Sequence, residues 1–179
     1  MTSLVYFFKQ FDAKIYKSEK IETHGGSIRV YVKKDKKIKI ENSVKNMLKE
    51  EENFGIKDYK TYQNFGNKVY KIRENVLNNL KRIKKNGKKI IGYGAPAKAS
   101  TALNFYGISN EIDFIVEDNK LKHNKFIPGV KIPIRKKSFI KDKNNTLLVL
   151  AWNFYEDIKK NNLNLSDNFI NIKELESNN

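Results

Sequence analysis

The chain has 179 residues, 39% hydrophobic and 12% aromatic, enough apolar side chain for one or two domains with real cores. It has no Cys, which excludes disulfides and thiolate metal sites, and two histidines, His24 and His123, are too few for a histidine-rich centre, so no metal site is expected. No run of about 18 apolar residues occurs and the opening residues lack a charged-then-apolar secretion signature, so the expectation is a cytoplasmic protein with no membrane partner.

The net charge of +16 invites a nucleic-acid partner. Of the 36 basic residues, however, only Arg29, Arg73, Arg82 and Arg135 are arginine, the residue suited to bidentate recognition, and the lysines are spread along the whole chain. The reading is solvated lysine faces, a general preference for anionic ligands, and no nucleic acid.

Residues 2–12 read as a short helix capped by Thr2 or Ser3, with Leu4, Phe7, Phe8 and Phe11 at helical spacing. Residues 13–21 read as a strand with Ile15 and Ile21 on one face. A turn containing Gly25 and Gly26 leads into a second strand, where Ile28, Val30 and Val32 alternate with Arg29 and Tyr31. After a charged connector, Ser43 caps a helix that carries Val44, Met47 and Leu48 and stops near Gly55, with Glu50, Glu51 and Glu52 on a solvated face. Asp58 then opens a long helix whose apolar residues, from Tyr59, Tyr62 and Phe65 through Val76 to Ile83, step by three or four, and Lys84, Lys85 and Gly87 end it. The aromatic stripe at 59, 62 and 65 reads as core rather than as a base-stacking platform.

Residues 88–101, Lys-Lys-Ile-Ile-Gly-Tyr-Gly-Ala-Pro-Ala-Lys-Ala-Ser-Thr, follow the order strand, glycine turn, helix N-terminus. Free backbone N–H groups and the positive end of the helix dipole make such a junction an anion site. Lys98 falls in the first helical turn, where a cation opposes the dipole by roughly 0.3–1 kcal/mol. A bound phosphate would remove that conflict; alternatively Lys98 points into water. A second strand over 112–116 ends at Glu117-Asp118-Asn119, about 20–25 residues after the first glycine, where a Rossmann unit holds a ribose hydroxyl; the alternative is that Asp118 caps the next turn. A basic loop to Gly129, a short strand over 130–134 and a short helix over 136–142 follow. Residues 146–151 form an apolar run suited to a strand buried on both faces, with Trp152-Asn153 beyond its carboxyl end. A helix over 154–162, a last strand over 169–172 and a frayed tail from Glu174 complete the chain. Strand and helix thus alternate in the second half, which predicts an α/β fold with a doubly wound parallel sheet and a ligand site outside the carboxyl ends of its strands.

The chain resembles the C-terminal region of S-adenosylmethionine-dependent C-methyltransferases acting on nucleotide-linked deoxysugars. The carrying residues are Thr23-His-Gly-Gly-Ser-Ile-Arg-Val-Tyr31, Gly92-Tyr-Gly-Ala-Pro-Ala-Lys98 with Ser100, Thr101 and Asn104, Val116-Glu-Asp-Asn119 with Lys122, Pro128-Gly-Val-Lys-Ile-Pro-Ile134, and Ala151-Trp-Asn-Phe154. Relatives usually have Gly where Ala99 stands and Gln-Gly where His123-Asn124 stand.

The resemblance implies a Rossmann-like domain over 88–179, a helical connector over 34–87, and, over 1–33, the helix and strand pair that end a class I methyltransferase core. It implies a substrate site for a dTDP-type sugar made of Gly92, Tyr93, Gly94, Ala95, Pro96 and Lys98 at the diphosphate, with Asp118, Lys122, Trp152 and Asn153 at the nucleoside and sugar. The family's methyl-donor loop and catalytic base have no counterpart here, so no catalytic residue and no bound cofactor are expected. The implied protein does not methylate alone, and a separate chain carrying the S-adenosylmethionine domain is a possible partner. A non-enzymatic nucleotide-sensing Rossmann module is the other reading.

Overall fold

The computed structural model describes residues 1–177, His24 by its backbone alone, and packs them into two units, one over Met1–Asn67 and one from Lys68 onward. The expected connector over 34–87 divides between them. Among the described residues no helix is long and apolar enough to cross a membrane.

The first unit holds helix α1 (Thr2–Lys9), strands β1 (Lys14–Ile21) and β2 (Ser27–Lys33), helix α2 (Asn42–Phe54) and the first turns of α3 (Tyr59–Lys85). The strands form an antiparallel hairpin, turned at Gly25 and Gly26 with φ of +88° and +118°. A bulge between Ile15 and Lys17 shifts the pleat, so Ser18 joins Ile15 among the buried residues and Ile21 does not. Met1, Ile15, Val44 and Met47 make the small core.

Three sequence expectations fail here for one reason, the use of side-chain oxygens over long range. Neither Thr2 nor Ser3 caps α1; the Glu51 carboxylate does, accepting from the Met1 ammonium and, at 2.7 Å, from the Thr2 N–H. Glu51 is therefore a tether and not part of a solvated face. Ser43 caps nothing, since its Oγ accepts from the Ser18 N–H of β1 at 3.2 Å. The aromatic stripe also differs from expectation: Tyr59, Tyr62 and Phe65 are 75%, 56% and 63% exposed. Helical spacing identifies a common face but not what covers it.

The second unit is built on a five-stranded parallel sheet in the order β5-β4-β3-β6-β7, comprising β3 (Lys89–Tyr93), β4 (Phe114–Val116), β5 (Ile134–Arg135), β6 (Asn145–Val149) and β7 (Asn168–Asn171). Numbered from β3, the order is 3-2-1-4-5, that of a Rossmann sheet, and the reversal of direction falls between β3 and β6. Alternation along the strands sends Ile90, Ile115 and Leu148 to one face, under Val76 and Leu80 of α3 and Leu103 of α4 (Ala97–Tyr106). Ile91, Val116, Leu147 and Val149 go to the other, where Tyr155 and Ile158 of α5 (Tyr155–Asn161) pack. Both faces are covered, as a parallel sheet requires. The strand expected at 130–134 shrinks to Ile134–Arg135, and the helix expected at 136–142 is a single 3-10 turn, Lys137–Phe139.

The segment expected to fray is anchored. Leu175 is buried, and Asn75 and Asn79 of α3 donate to the carbonyls of Glu176, Leu175 and Ser177. Asn178 and Asn179 lie outside the described residues.

Two outcomes follow. Burial by itself would raise the Glu51 pKa, but the bonds from the Met1 ammonium and Thr2 outweigh it and draw the value from 4.5 to about 2. Its stabilisation is present above the ordinary value and is lost as pH falls from there through about 2; acid unfolding monitored by circular dichroism should therefore lose this component in E51Q. In β3, a Cβ on Gly92 would meet Ile115 Cγ1 at 2.7 Å and Leu150 Cδ1 at 3.1 Å. G92A should destabilise the second unit by roughly 1–3 kcal/mol in urea unfolding, the cost of overpacking.

Candidate functional site

The carboxyl ends of β3 and β6 lie side by side where strand order reverses, and most of the sequence-predicted residues gather there. Their roles differ from residue to residue. Gly92 is a packing position inside the sheet, as its contact with Ile115 shows. Gly94 turns the chain at φ +87°, a conformation that favours glycine, and its N–H donates to the Val116 carbonyl at 2.8 Å. The Ala95 N–H donates to the Glu117 carboxylate at 2.8 Å. Pro96 has no N–H, and its carbonyl accepts from Ala99 and Ser100. Of the backbone donors between 92 and 98, only those of Ala97 and Lys98 have no partner among the described residues. The turn thus carries its own anion: Glu117 occupies the place at Ala95 that an external phosphate would take in an open glycine loop.

Glu117 is the hub of this arrangement. It also accepts from the Asn119 N–H at 3.0 Å and lies 3.4 Å from Lys122 Nζ, which donates in turn to the Ala95 carbonyl at 2.9 Å. Burial would raise its pKa; the two amides and the Lys122 charge reverse that and hold it below the usual value. Lys122 accordingly staples the β4 loop to the turn. The His123 ring contacts the Glu117 carbonyl at 2.7 Å, and Asn124 adopts φ +60°, a left-handed conformation that asparagine tolerates. Ala99 is fully buried in the sheet–helix core.

Lys98 does not point into water. Its Nζ stands 4.1 Å from the centroid of Trp152, with a second lysine, Lys173, at 5.5 Å from the same ring. Lys98 pairs with no carboxylate among the described residues. Burial and then the Lys173 charge push its pKa below the usual lysine value. Trp152 sits in a 3-10 turn, Trp152–Phe154, directly beyond β6, and Asn153 beside it is exposed.

Asp118 looks to the other face. Its Oδ1 pairs with Lys137 Nζ at 2.7 Å and its Oδ2 accepts from the Tyr93 hydroxyl at 2.8 Å, while Asn162 Oδ1 accepts from Lys137 at 2.8 Å and Tyr93 at 3.3 Å. Burial raises the Asp118 pKa, but Lys137 and Tyr93 outweigh it and keep the carboxylate ionised to lower pH than usual. Tyr93 is therefore buried on the α5 side, apart from the ring of Trp152, and is tied to Asp118 rather than open to a ligand. Asn104 bonds the carbonyls of Ser100 and Pro128, each at 2.8 Å, and its side chain fills the space over Gly129, which pins the basic loop onto α4.

Sequence reasoning missed four participants. Glu117 lay within a quoted motif with no role assigned to it. Lys137 and Asn162 lie far along the chain from Asp118, and Lys173 lies next to a segment read as a tail. Strand parity offers one usable signal: consecutive residues at a strand end point to opposite sides, so Glu117 and Asp118 serve opposite faces. Among the described residues no cluster of three His, Asp or Glu could hold a metal ion.

A parallel sheet in Rossmann order, with Lys98, Lys173 and Trp152 gathered at its switch point, defines a Rossmann-like α/β module. A model of the C-methyltransferase C-terminal domain family matches residues 22–170, and the chain belongs to that family. It is 30% identical over 174 residues to the C-methyltransferase NovU of Streptomyces niveus, an alignment that covers 93% of this chain and 40% of the length of that relative.

The hub leads to a test. E117A removes the acceptor of the Ala95 and Asn119 amides and leaves Lys122 without its carboxylate, so urea unfolding should show a loss of roughly 1–3 kcal/mol. The Trp152 emission should shift at the same time, because the turn that positions Lys98 is released.

Proposed function

We propose that this chain is the nucleotide-sugar-binding part of an S-adenosylmethionine-dependent sugar C-methyltransferase, with a dTDP-type sugar as its ligand. The observation that carries the reading is Lys98, a cation in the first turn of α4 with no carboxylate partner among the described residues, held over Trp152 beside two open backbone N–H groups. A phosphate there gains charge-assisted bonds, and the opposition between Lys98 and the helix dipole is neutralised. Trp152 and Asn153 supply a planar apolar surface and an amide at the rim for the rest of the ligand.

The donor set on this rim is cationic. It suits a phosphate and not a sulfonium, so S-adenosylmethionine receives no site on these residues and no step of methyl transfer is assigned to them. Donor binding and proton abstraction belong in this reading to the part of the enzyme represented in the remaining length of the relative, whether supplied by further sequence or by a separate chain.

Calorimetric titration with a dTDP-sugar tests the reading. K98E should weaken binding by at least about tenfold, because an attraction becomes a repulsion at the same place. An unchanged dissociation constant would remove Lys98 from the site. Saturable binding of S-adenosylmethionine to these 179 residues would overturn the division of labour.

A further inference from the structure

Lys173 enters the rim from a part of the chain that no motif marks. It lies in a 3-10 segment, Ile172–Glu176, whose first N–H groups are capped by Asn171 Oδ1, which accepts from the Lys173 N–H at 3.1 Å. Ile172 and Leu175 on either side are buried in the sheet–helix core, and Asn75 and Asn79 of α3 hold the carbonyls that follow. Lys173 is thus carried on a fixed backbone, and its ammonium faces the same indole ring as that of Lys98. Among the described residues its one ion-pair partner is Glu176 at 2.9 Å, whose carboxylate also accepts from the Tyr106 hydroxyl at 3.1 Å. Lys173 remains half exposed, with donors to spare.

Two ammonium groups brought to one ring repel each other; the Lys98 pKa is pushed below the usual lysine value by burial first and by the Lys173 charge second. Among the described residues only Glu176 ion-pairs with either lysine, on the Lys173 side, so an anion of more than one negative charge is what the arrangement lacks. We propose that Lys173 is the second cation of the rim's anion site, and that Lys98 and Lys173 together select a diphosphate over a monophosphate. The identity of the attached nucleoside and sugar rests on the nucleotide-sugar reading above; the lysine pair does not. Each ammonium meets one phosphoryl group of the diphosphate, the open N–H groups of Ala97 and Lys98 bond its oxygens, and the charge it brings relieves the repulsion across the ring.

Trp152 is the sole tryptophan of the chain, so its emission reports on the site directly. Inorganic pyrophosphate and inorganic phosphate are titrated into the intact chain and into K98A, K173A, K173R and K143A, with fluorescence and calorimetry as paired readouts. Lys143, paired with Asp167, serves as a surface control. Pyrophosphate should bind the wild type more tightly than phosphate. K173A should lose at least about fivefold in pyrophosphate affinity and much less in phosphate affinity, K173R should recover most of the loss, and K143A should leave both unchanged. A K173A protein that binds pyrophosphate like K143A overturns the proposal, as does equal loss for both anions.

A second arm with dTDP and a dTDP-sugar separates the two readings. Lysine-dependent pyrophosphate binding with no gain from the nucleoside sinks the nucleotide-sugar reading alone. Tight dTDP-sugar binding indifferent to Lys173 sinks the lysine pair alone. No response to any titrant sinks both.

Discussion

The carboxylate of Glu117 is the interaction on which the rest of the rim depends. It accepts from Ala95 and Asn119 and pairs with Lys122, so one group ties the end of β3, the end of β4 and the basic loop together. Burial alone would favour its protonation, yet amide donors and a nearby ammonium keep it charged. With the turn closed in this way, α4 starts at a set place and Lys98 is directed across the switch point to Trp152. A glycine turn of this sequence pattern can cradle a phosphate with its amides; here the Glu117 carboxylate takes the Ala95 amide, and the proposed anion site rests on side-chain ammonium groups instead.

The two faces of the sheet divide the polar chemistry between them. Lys98, Trp152 and Lys173 lie with the face covered by α3 and α4, whereas Tyr93, Asp118, Lys137 and Asn162 bond one another on the face covered by α5. The second set satisfies itself and works as a clasp between β3, β4 and the segment after β5. The first set leaves an excess of positive charge. The proposed anion site rests on that excess of charge more than on proximity to a glycine motif.

Much of this was legible beforehand. The run Ile90-Ile91 into Gly92 and Gly94, the apolar run at 146–151 and the alternation of elements pointed to a Rossmann-like sheet, and its strand order brings most of the predicted residues to the switch point. The resemblance to the C-methyltransferase C-terminal domain was carried by short motifs, and the family match covers most of the chain. What was not legible were pairings between distant segments. Glu51 with the α1 amides, Ser43 with Ser18, Asp118 with Lys137, and Lys173 with Trp152 join residues whose separation in sequence bears no periodicity.

By itself, the sequence determined the elements and their apolar faces, because helix and strand periodicities are local properties of the backbone. It also determined where the chain must turn, because Gly25, Gly94 and Gly129 adopt backbone angles that other residues rarely do. Only the tertiary structure decided which polar groups are used up internally and which remain. Asp118 and Lys122 were claimed by neighbours, Tyr59, Tyr62 and Phe65 stayed exposed, and Lys173 was brought to the ring of Trp152. The physical reason is that hydrogen bonds and charge pairs act over a few ångströms in space, and sequence spacing does not record which segments the packed core brings within that range.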